Sequence, residues 1–177
     1  MRIFKGFTLL SCVVFLAAAG LTFSVNAQSA SSSLSGSSRV TIPGSEVTME
    51  LPNVYQYDEG QGAWVYAGAS SGISVQVLKT TGFETLSRAV TKEKLEKQQM
   101  KFLSSEELST GSGLKARLFQ MSMTVQSPSE EKAVDFIRMV FICGNDQMST
   151  MVTANFPKVT ESLLQEPLRT SLLSINF

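Results

Sequence analysis

The sequence predicts an α+β domain, an antiparallel β-sheet with helices packed on both faces. Three observations support this fold class. Alternation of apolar and polar residues with period two occurs on both sides of a helical stretch. The strands of the second half are joined by short turns, which is typical of antiparallel pairing. One long strand, residues 133–143, is apolar on both alternating faces, so we expect it near the centre of a sheet that is covered on each side.

The first half contains short strands. Residues 47–51 and 73–77 alternate between apolar and polar side chains, the pattern of half-buried strands. Between them, segments 55–57 and 63–66 flank the loop 58–62, which contains two glycines and two acids. A polar, glycine-containing loop of this length predicts a β-hairpin.

A helical pattern follows at 83–103. The apolar stripe that contains Phe83 and Leu86 is out of phase with Leu95 and Phe102. Leu95 follows Leu86 by nine residues, which is two and a half helical turns, so the two side chains would point to opposite sides of one helix. A break at Thr91, acting as an N-cap, would resolve the conflict. We therefore predict one or two helices here.

Three long strands and a helix complete the chain. The strands are predicted at 114–126, 133–143 and 148–156, with a polar turn at 127–132 and a tight turn after Gly144. A last helix is expected from residue 160, with one apolar stripe that Pro167 either interrupts or restarts. The stripe consists of Leu164, Leu168 and Leu172.

The N-terminus has the pattern of an export signal. Residues 1–27 combine a short basic start with an apolar run at 7–25 and small residues before a predicted cleavage between Ala27 and Gln28. This predicts a periplasmic or secreted protein. The alternative is that 7–25, which is long enough to cross a bilayer, remains as an anchor.

The exported chain would consist of a tether and one domain. Residues 28–38 include seven serines and predict a flexible tether, and residues 39–177 form the single domain. After cleavage the chain carries 13 basic and 15 acidic residues. This balance gives no electrostatic basis for binding nucleic acid or an anionic membrane surface, so membrane contact is expected only if the signal is uncleaved.

The sequence argues against common enzyme chemistry. There is no histidine, which excludes Ser-His-Asp and Cys-His catalysis and histidine metal sites. Cys143 is the one cysteine after the signal and is expected in the core, so no internal disulfide forms. Glu106 and Glu107 are expected in a turn, and Asp135 and Arg138 near a sheet end or with polar partners. We predict no enzyme activity, no catalytic residues and no cofactor.

Methionines raise one metal alternative. Met121, Met123, Met139, Met148 and Met151 could join Cys143 in a Cu(I) site made of sulfur ligands. Core filling is the simpler interpretation of these side chains, and we predict no metal site.

All three tyrosines and the one tryptophan fall in the predicted hairpin. Tyr55, Tyr57, Trp64 and Tyr66 combine large apolar faces with polar tips, which is typical of binding anchors. Cross-strand packing within the hairpin is the alternative. If the domain binds a partner, this is the predicted site.

The chain resembles the PsbP-like fold family over residues 39–177. The matching features are Val-Thr-Ile-Pro and Met-Glu-Leu-Pro within 40–52, Gly-Leu-Lys-Ala at 113–116, and a closing block formed by 151–157 and 171–175. The family includes the extrinsic photosystem II subunit, a yeast Ran-binding import factor and DcrB-type bacterial envelope proteins, and the closing block is most similar to the DcrB type. The resemblance implies a non-enzymatic domain that binds protein partners.

Two functions follow as hypotheses. The first is an exported protein-binding or assembly factor that acts on an envelope protein. The second is a carrier of a small apolar ligand or lipid in a pocket between sheet and helix.

Overall fold

The structure is a computed structural model that describes residues 34, 36–126 and 133–177. Nine strands and three α-helices make up the described chain. In chain order they are β1 Ser37–Thr41, β2 Thr48–Pro52, β3 Gln56–Asp58, β4 Ala63–Tyr66, β5 Ser71–Leu78, α1 Phe83–Ala89, α2 Lys92–Glu96, β6 Lys101–Ser109, β7 Lys115–Gln126, β8 Ala133–Gly144, β9 Ser149–Pro157 and α3 Glu161–Leu173. Short 3₁₀ turns occupy Ala67–Ala69 and Lys158–Thr160.

Seven strands form one antiparallel sheet in the order β3-β4-β5-β9-β8-β7-β6. Strands β6 to β9 pair with their chain neighbours, whereas β5 pairs with the last strand, β9. The remaining strands, β1 and β2, form a separate antiparallel ribbon. The fold class predicted from the sequence, an antiparallel sheet with helices on both faces, is confirmed.

Strand β8 carries both hydrophobic cores. Alternate side chains such as Met139 and Phe141, each 0 % exposed, belong to the first core, on one face of the sheet. Val140 and Ile142 belong to the second core, on the opposite face. The predicted double coverage of this strand is therefore confirmed, and its neighbour β9 is the middle strand of the sheet.

Helix α3 and the β1–β2 ribbon cover the first face. The predicted leucine stripe of α3 is buried, and the helix continues through Pro167. The ribbon is attached to the end of α3, because the Glu50 backbone N–H donates to the Ser174 hydroxyl at 2.7 Å. Thr48 also forms a bridge with Asn176.

Helices α1 and α2 cover the second face. Phe83 and Leu86 of α1 are buried there with Leu95 of α2. The two helices are separate, and the Thr91 side chain accepts from the Lys94 backbone N–H at 3.4 Å, so the predicted N-cap is confirmed.

Strand β6 corrects the sequence analysis. The helical pattern was expected to continue to residue 103, but α2 ends at Glu96 and an edge strand begins at Lys101. Glu106 and Glu107 consequently lie within β6 and not in a turn. Antiparallel pairing with β7 outweighs the weak helical periodicity of this segment, because β7 pairs with the backbone along one edge of β6.

The chain enters the fold slightly earlier than predicted. Strand β1 begins at Ser37, because Ser37 and Ser38 pair with Pro52 and Leu51 of β2. The predicted signal peptide, its cleavage between Ala27 and Gln28, most of the tether and the turn at 127–132 lie outside the described residues. Within the described part of the chain, no helix has the length and apolarity needed to cross a membrane.

Candidate functional site

The β3–β4 hairpin brings the four predicted aromatic residues together. Residues 56–58 pair with 63–65 in a short antiparallel ladder, and Tyr57 lies directly opposite Trp64. The loop between the strands is closed by Asp58, whose carboxylate accepts from the Gln61 backbone N–H at 3.0 Å and from the Gln61 side chain at 2.9 Å. The predicted hairpin is thus present, with a fixed loop.

Tyr57 and Trp64 form a tilted ring pair with unequal exposure. Their ring centroids are 4.9 Å apart with planes inclined by 57°. Tyr57 is 40 % exposed, whereas Trp64 is 5 % exposed and belongs to the first core. Among the described residues, the exposed large apolar side chains are Tyr57, Leu103 and Val159, of which Tyr57 is the aromatic one.

Tyr55 and Tyr66 form the second pair. Their centroids are 5.9 Å apart in an edge-to-face arrangement. Tyr55 is buried, and its hydroxyl shares a 2.7 Å hydrogen bond with Ser71. Burial raises the pKa of Tyr55 to about 12. Tyr66 is partly buried, and its ring lies against the backbone at Gly68, where a Cβ would approach within 2.9 Å.

The structure thus divides the four predicted site residues. Trp64 and Tyr55 are core residues and offer little surface to a partner, because both are less than 8 % exposed. Tyr57 and part of Tyr66 remain accessible. The cross-strand packing expected as the alternative is present between Tyr57 and Trp64, and the binding role of these residues stays a prediction.

The sulfur residues considered for copper are divided between the two faces. Cys143 and Met139 belong to the first core, whereas Met121 and Met151 belong to the second. Burial also raises the pKa of the Cys143 thiol to about 12, so the thiol stays protonated. These side chains fill the cores.

Three of the charged side chains considered in the sequence analysis, those of Glu106, Asp135 and Arg138, have partners within the fold. Both guanidinium nitrogens of Arg169, on α3, donate to the Glu106 carboxylate, the second at 3.0 Å, and this lowers the Glu106 pKa. Asp135 accepts from the Thr124 hydroxyl at 2.7 Å. Arg138 is buried and donates to the Asn155 side chain at 2.6 Å, so its predicted polar partner is present.

A small cavity lies between α2 and the sheet. Leu95, Met100, Arg138 and Val140 contribute to its lining, and its volume is about 20 Å³. This volume holds about one water molecule. Pockets for small ligands are typically about 300–1,000 Å³, so this cavity is too small for an apolar ligand or lipid.

Comparison with known proteins supports the fold. The sequence matches no protein-family model and no curated protein. The solution structure of cyanobacterial PsbP (CyanoP) from Synechocystis sp. PCC 6803 is similar with a TM-score of 0.57 and 9 % identity, over 79 % of this chain and 91 % of CyanoP. The chain has a PsbP-like fold.

A second solved structure shares this PsbP-like fold. The crystal structure of the Saccharomyces cerevisiae Ran-binding protein Mog1p matches with a TM-score of 0.55 and 10 % identity, over 80 % of this chain and 95 % of Mog1p. At such identities the likeness concerns the fold, and function has to be argued from the site.

Proposed function

We propose that this PsbP-like chain is an exported, non-enzymatic protein-binding or assembly factor of the cell envelope, of DcrB type. Its partner contacts the β3–β4 hairpin through Tyr57. The observation that carries the proposal is that Tyr57 is exposed while its ring packs against the buried Trp64 ring.

This ring contact matters because it holds the exposed ring in place. Binding energy in protein interfaces is concentrated in a few residues, and tyrosine is enriched among them. A side chain that is already held in place loses less conformational freedom when a partner binds. The Trp64 ring on the core side, whose centroid is 4.9 Å from that of Tyr57, helps to hold the Tyr57 ring in place. The hydrogen bonds between Asp58 and Gln61, which close the loop, do the same.

Export is supported by the N-terminal sequence. A basic start, the apolar run at 7–25 and small residues up to Ala27 are typical of a signal peptide. DcrB-type function is supported by the similarity of the closing block, residues 151–157 and 171–175, to the end of those proteins. The structural neighbour Mog1p is a Ran-binding protein, so this fold supports protein binding in that case.

A binding role fits the chemistry better than catalysis or ligand carriage. The sequence has no histidine, Glu106 is paired with Arg169, and the Cys143 thiol is buried. The carrier hypothesis needs a pocket for an apolar molecule, and the cavity beside α2, with a volume of about 20 Å³, does not supply one.

In-cell capture with matched variants tests the proposal. The full chain, with its own N-terminal segment and a C-terminal tag, is expressed in its source cells, crosslinked, and recovered for identification of bound protein and lipid. Trp64→Ala is unsuitable as a probe of binding because that side chain is in the core. Tyr57→Ser is the test, and Leu103→Ser is the control, since Leu103 is exposed to a similar extent, 44 %, on β6.

The expected result is one dominant envelope protein, reduced about tenfold or more by Tyr57→Ser and unchanged by Leu103→Ser. Equal recovery with both variants would contradict the assignment of the site. Stoichiometric lipid without a protein would favour the carrier hypothesis instead.

A further inference from the structure

The charges of this protein are unevenly distributed along the sheet. Residues 53–78, which include β3 to β5, contain two acidic residues, Asp58 and Glu59, and no lysine or arginine. Residues 79–101, which include α1 and α2, contain six basic and three acidic residues. Since β3 and β6 are the opposite edges of the seven-stranded sheet, and α2 contacts β6, the aromatic hairpin lies at the edge away from the basic residues of α2.

The acids of the hairpin are not neutralised within the described chain. Ion pairs there join Arg39 to Glu50 and three other pairs, but none includes Asp58 or Glu59. Asp58 accepts two hydrogen bonds from Gln61, which are neutral and leave its charge in place. Glu59 is exposed and follows Asp58 directly.

At this edge an exposed aromatic residue is followed directly in the chain by two residues with carboxylates. We define the acidic aromatic edge as Tyr57, Asp58 and Glu59, on and beside the outermost strand β3. The ring face of a tyrosine attracts cations, and arginine can stack on the ring while its N–H groups donate to a carboxylate. An uncharged or acidic surface would satisfy neither feature.

We infer that the partner presents a basic segment, with an arginine or lysine at its centre, to the acidic aromatic edge. This inference rests on the proposed function and specifies the chemistry of the partner. Charge complementarity between the edge and the segment would raise the association rate and exclude acidic competitors.

Site-specific photocrosslinking tests the inference. The photoreactive residue p-benzoylphenylalanine replaces Gln56, an exposed β3 residue, so that Tyr57 and Glu59 are retained. The full chain is irradiated in its source cells, and mass spectrometry identifies the crosslinked peptide. Glu59→Lys is added as the test variant, and Asp146→Lys is the matched control, because Asp146 is also an exposed loop acid but lies between β8 and β9.

We expect a crosslinked segment that contains arginine or lysine. The yield should fall at least tenfold with Glu59→Lys and remain unchanged with Asp146→Lys, as opposite charges become like charges at one site only. A crosslinked segment without basic residues, a product made only of this chain, or an unchanged yield with Glu59→Lys would overturn the inference.

The two proposals fail in different ways. If Tyr57→Ser abolishes capture while Glu59→Lys does not, the binding site stands and the basic segment is wrong. If the photoreactive residue at position 56 gives no crosslinked product and Tyr57→Ser does not change the amount of captured protein, both the binding site and the basic segment are wrong.

Discussion

Tyr57 lies directly across the β3–β4 ladder from Trp64, and the two contacting residues differ eightfold in exposure, 40 % against 5 %. One ring belongs to the core and the other to the surface, although they are adjacent on the same face. The proposed binding role can therefore be tested separately from stability by mutating one ring at a time.

Replacement of the two rings should have unequal effects on stability. Trp64→Ala should lower the free energy of unfolding by about 3–5 kcal/mol, because it leaves a cavity in the first core. Tyr57→Ser should cost about 1 kcal/mol or less, as expected for a partly exposed cross-strand pair. Urea unfolding followed by far-ultraviolet circular dichroism measures both, and equal losses would refute the division of roles.

The ion pair between Arg169 and Glu106 should make stability depend on acid pH. The Arg169 hydrogen bonds lower the Glu106 pKa in the folded state below its ordinary value of 4.5. Its contribution is therefore complete above pH 4.5 and is lost as the pH falls through the folded-state pKa.

Glu106→Gln should remove this dependence and cost about 0.5–1 kcal/mol at pH 7, a modest value because the two side chains are 41 % and 26 % exposed. Urea midpoints between pH 7 and pH 3 give the measurement. Glu107→Gln, on the same strand but outside the ion pairs of the described chain, is the control. The hypothesis fails if both variants keep the pH profile of the parent protein.

Cys143 should resist thiol reagents in the folded protein. Its side chain is 0 % exposed and its pKa is raised to about 12 by burial. At pH 8 only about one thiol in ten thousand would be ionised. In a Cys12→Ser background, labelling with a chromogenic disulfide should be slow in buffer and fast in concentrated urea. Rapid labelling in buffer would contradict the buried position.

A methyl group at Gly82 should destabilise the junction between α1 and the β8–β9 loop. A Cβ there would lie 2.3 Å from the Asp146 backbone oxygen, and the adjacent Phe83 N–H donates to the Asn145 oxygen at 2.8 Å. Gly82→Ala should therefore cost about 1–3 kcal/mol.

Gly72→Ala is the matched control for this substitution, since the nearest atom to its Cβ would be 3.9 Å away. Urea midpoints compare the two variants. A Gly82→Ala protein as stable as Gly72→Ala would show that the loop moves aside at no cost.

Local patterns predicted most of the fold. The alternation along 133–143 identified β8 as doubly covered, and Thr91 was recognised as an N-cap. Strand β6 was missed because it is a sheet edge with little buried side-chain area, so burial imposes no clear period on its sequence. Its adjacent acids, Glu106 and Glu107, are typical of a turn when the sequence is viewed locally. Arg169, the partner of Glu106, is 63 residues away in the chain and could not be recognised from local pattern.

The candidate site was predicted as a group but not residue by residue. The clustering of Tyr55, Tyr57, Trp64 and Tyr66 was visible in the sequence, whereas their exposure depends on the non-local first core beneath Trp64. A two-residue alternation places Trp64 and Tyr66 on one face, but it does not specify how far that face is covered.

The order of strands also has a consequence for how the chain is made. Strand β5 acquires its second neighbour only from β9, which ends at Pro157, close to the C-terminus. A ribosome or a translocation channel releases the chain with its N-terminus first, so the aromatic hairpin and β5 emerge before β9 is available to pair with β5. During that interval β5 presents an unpaired backbone edge, which is a template for aggregation. A chaperone that covers the edge of β5 until β9 has emerged would therefore lower the risk of aggregation during synthesis of this protein.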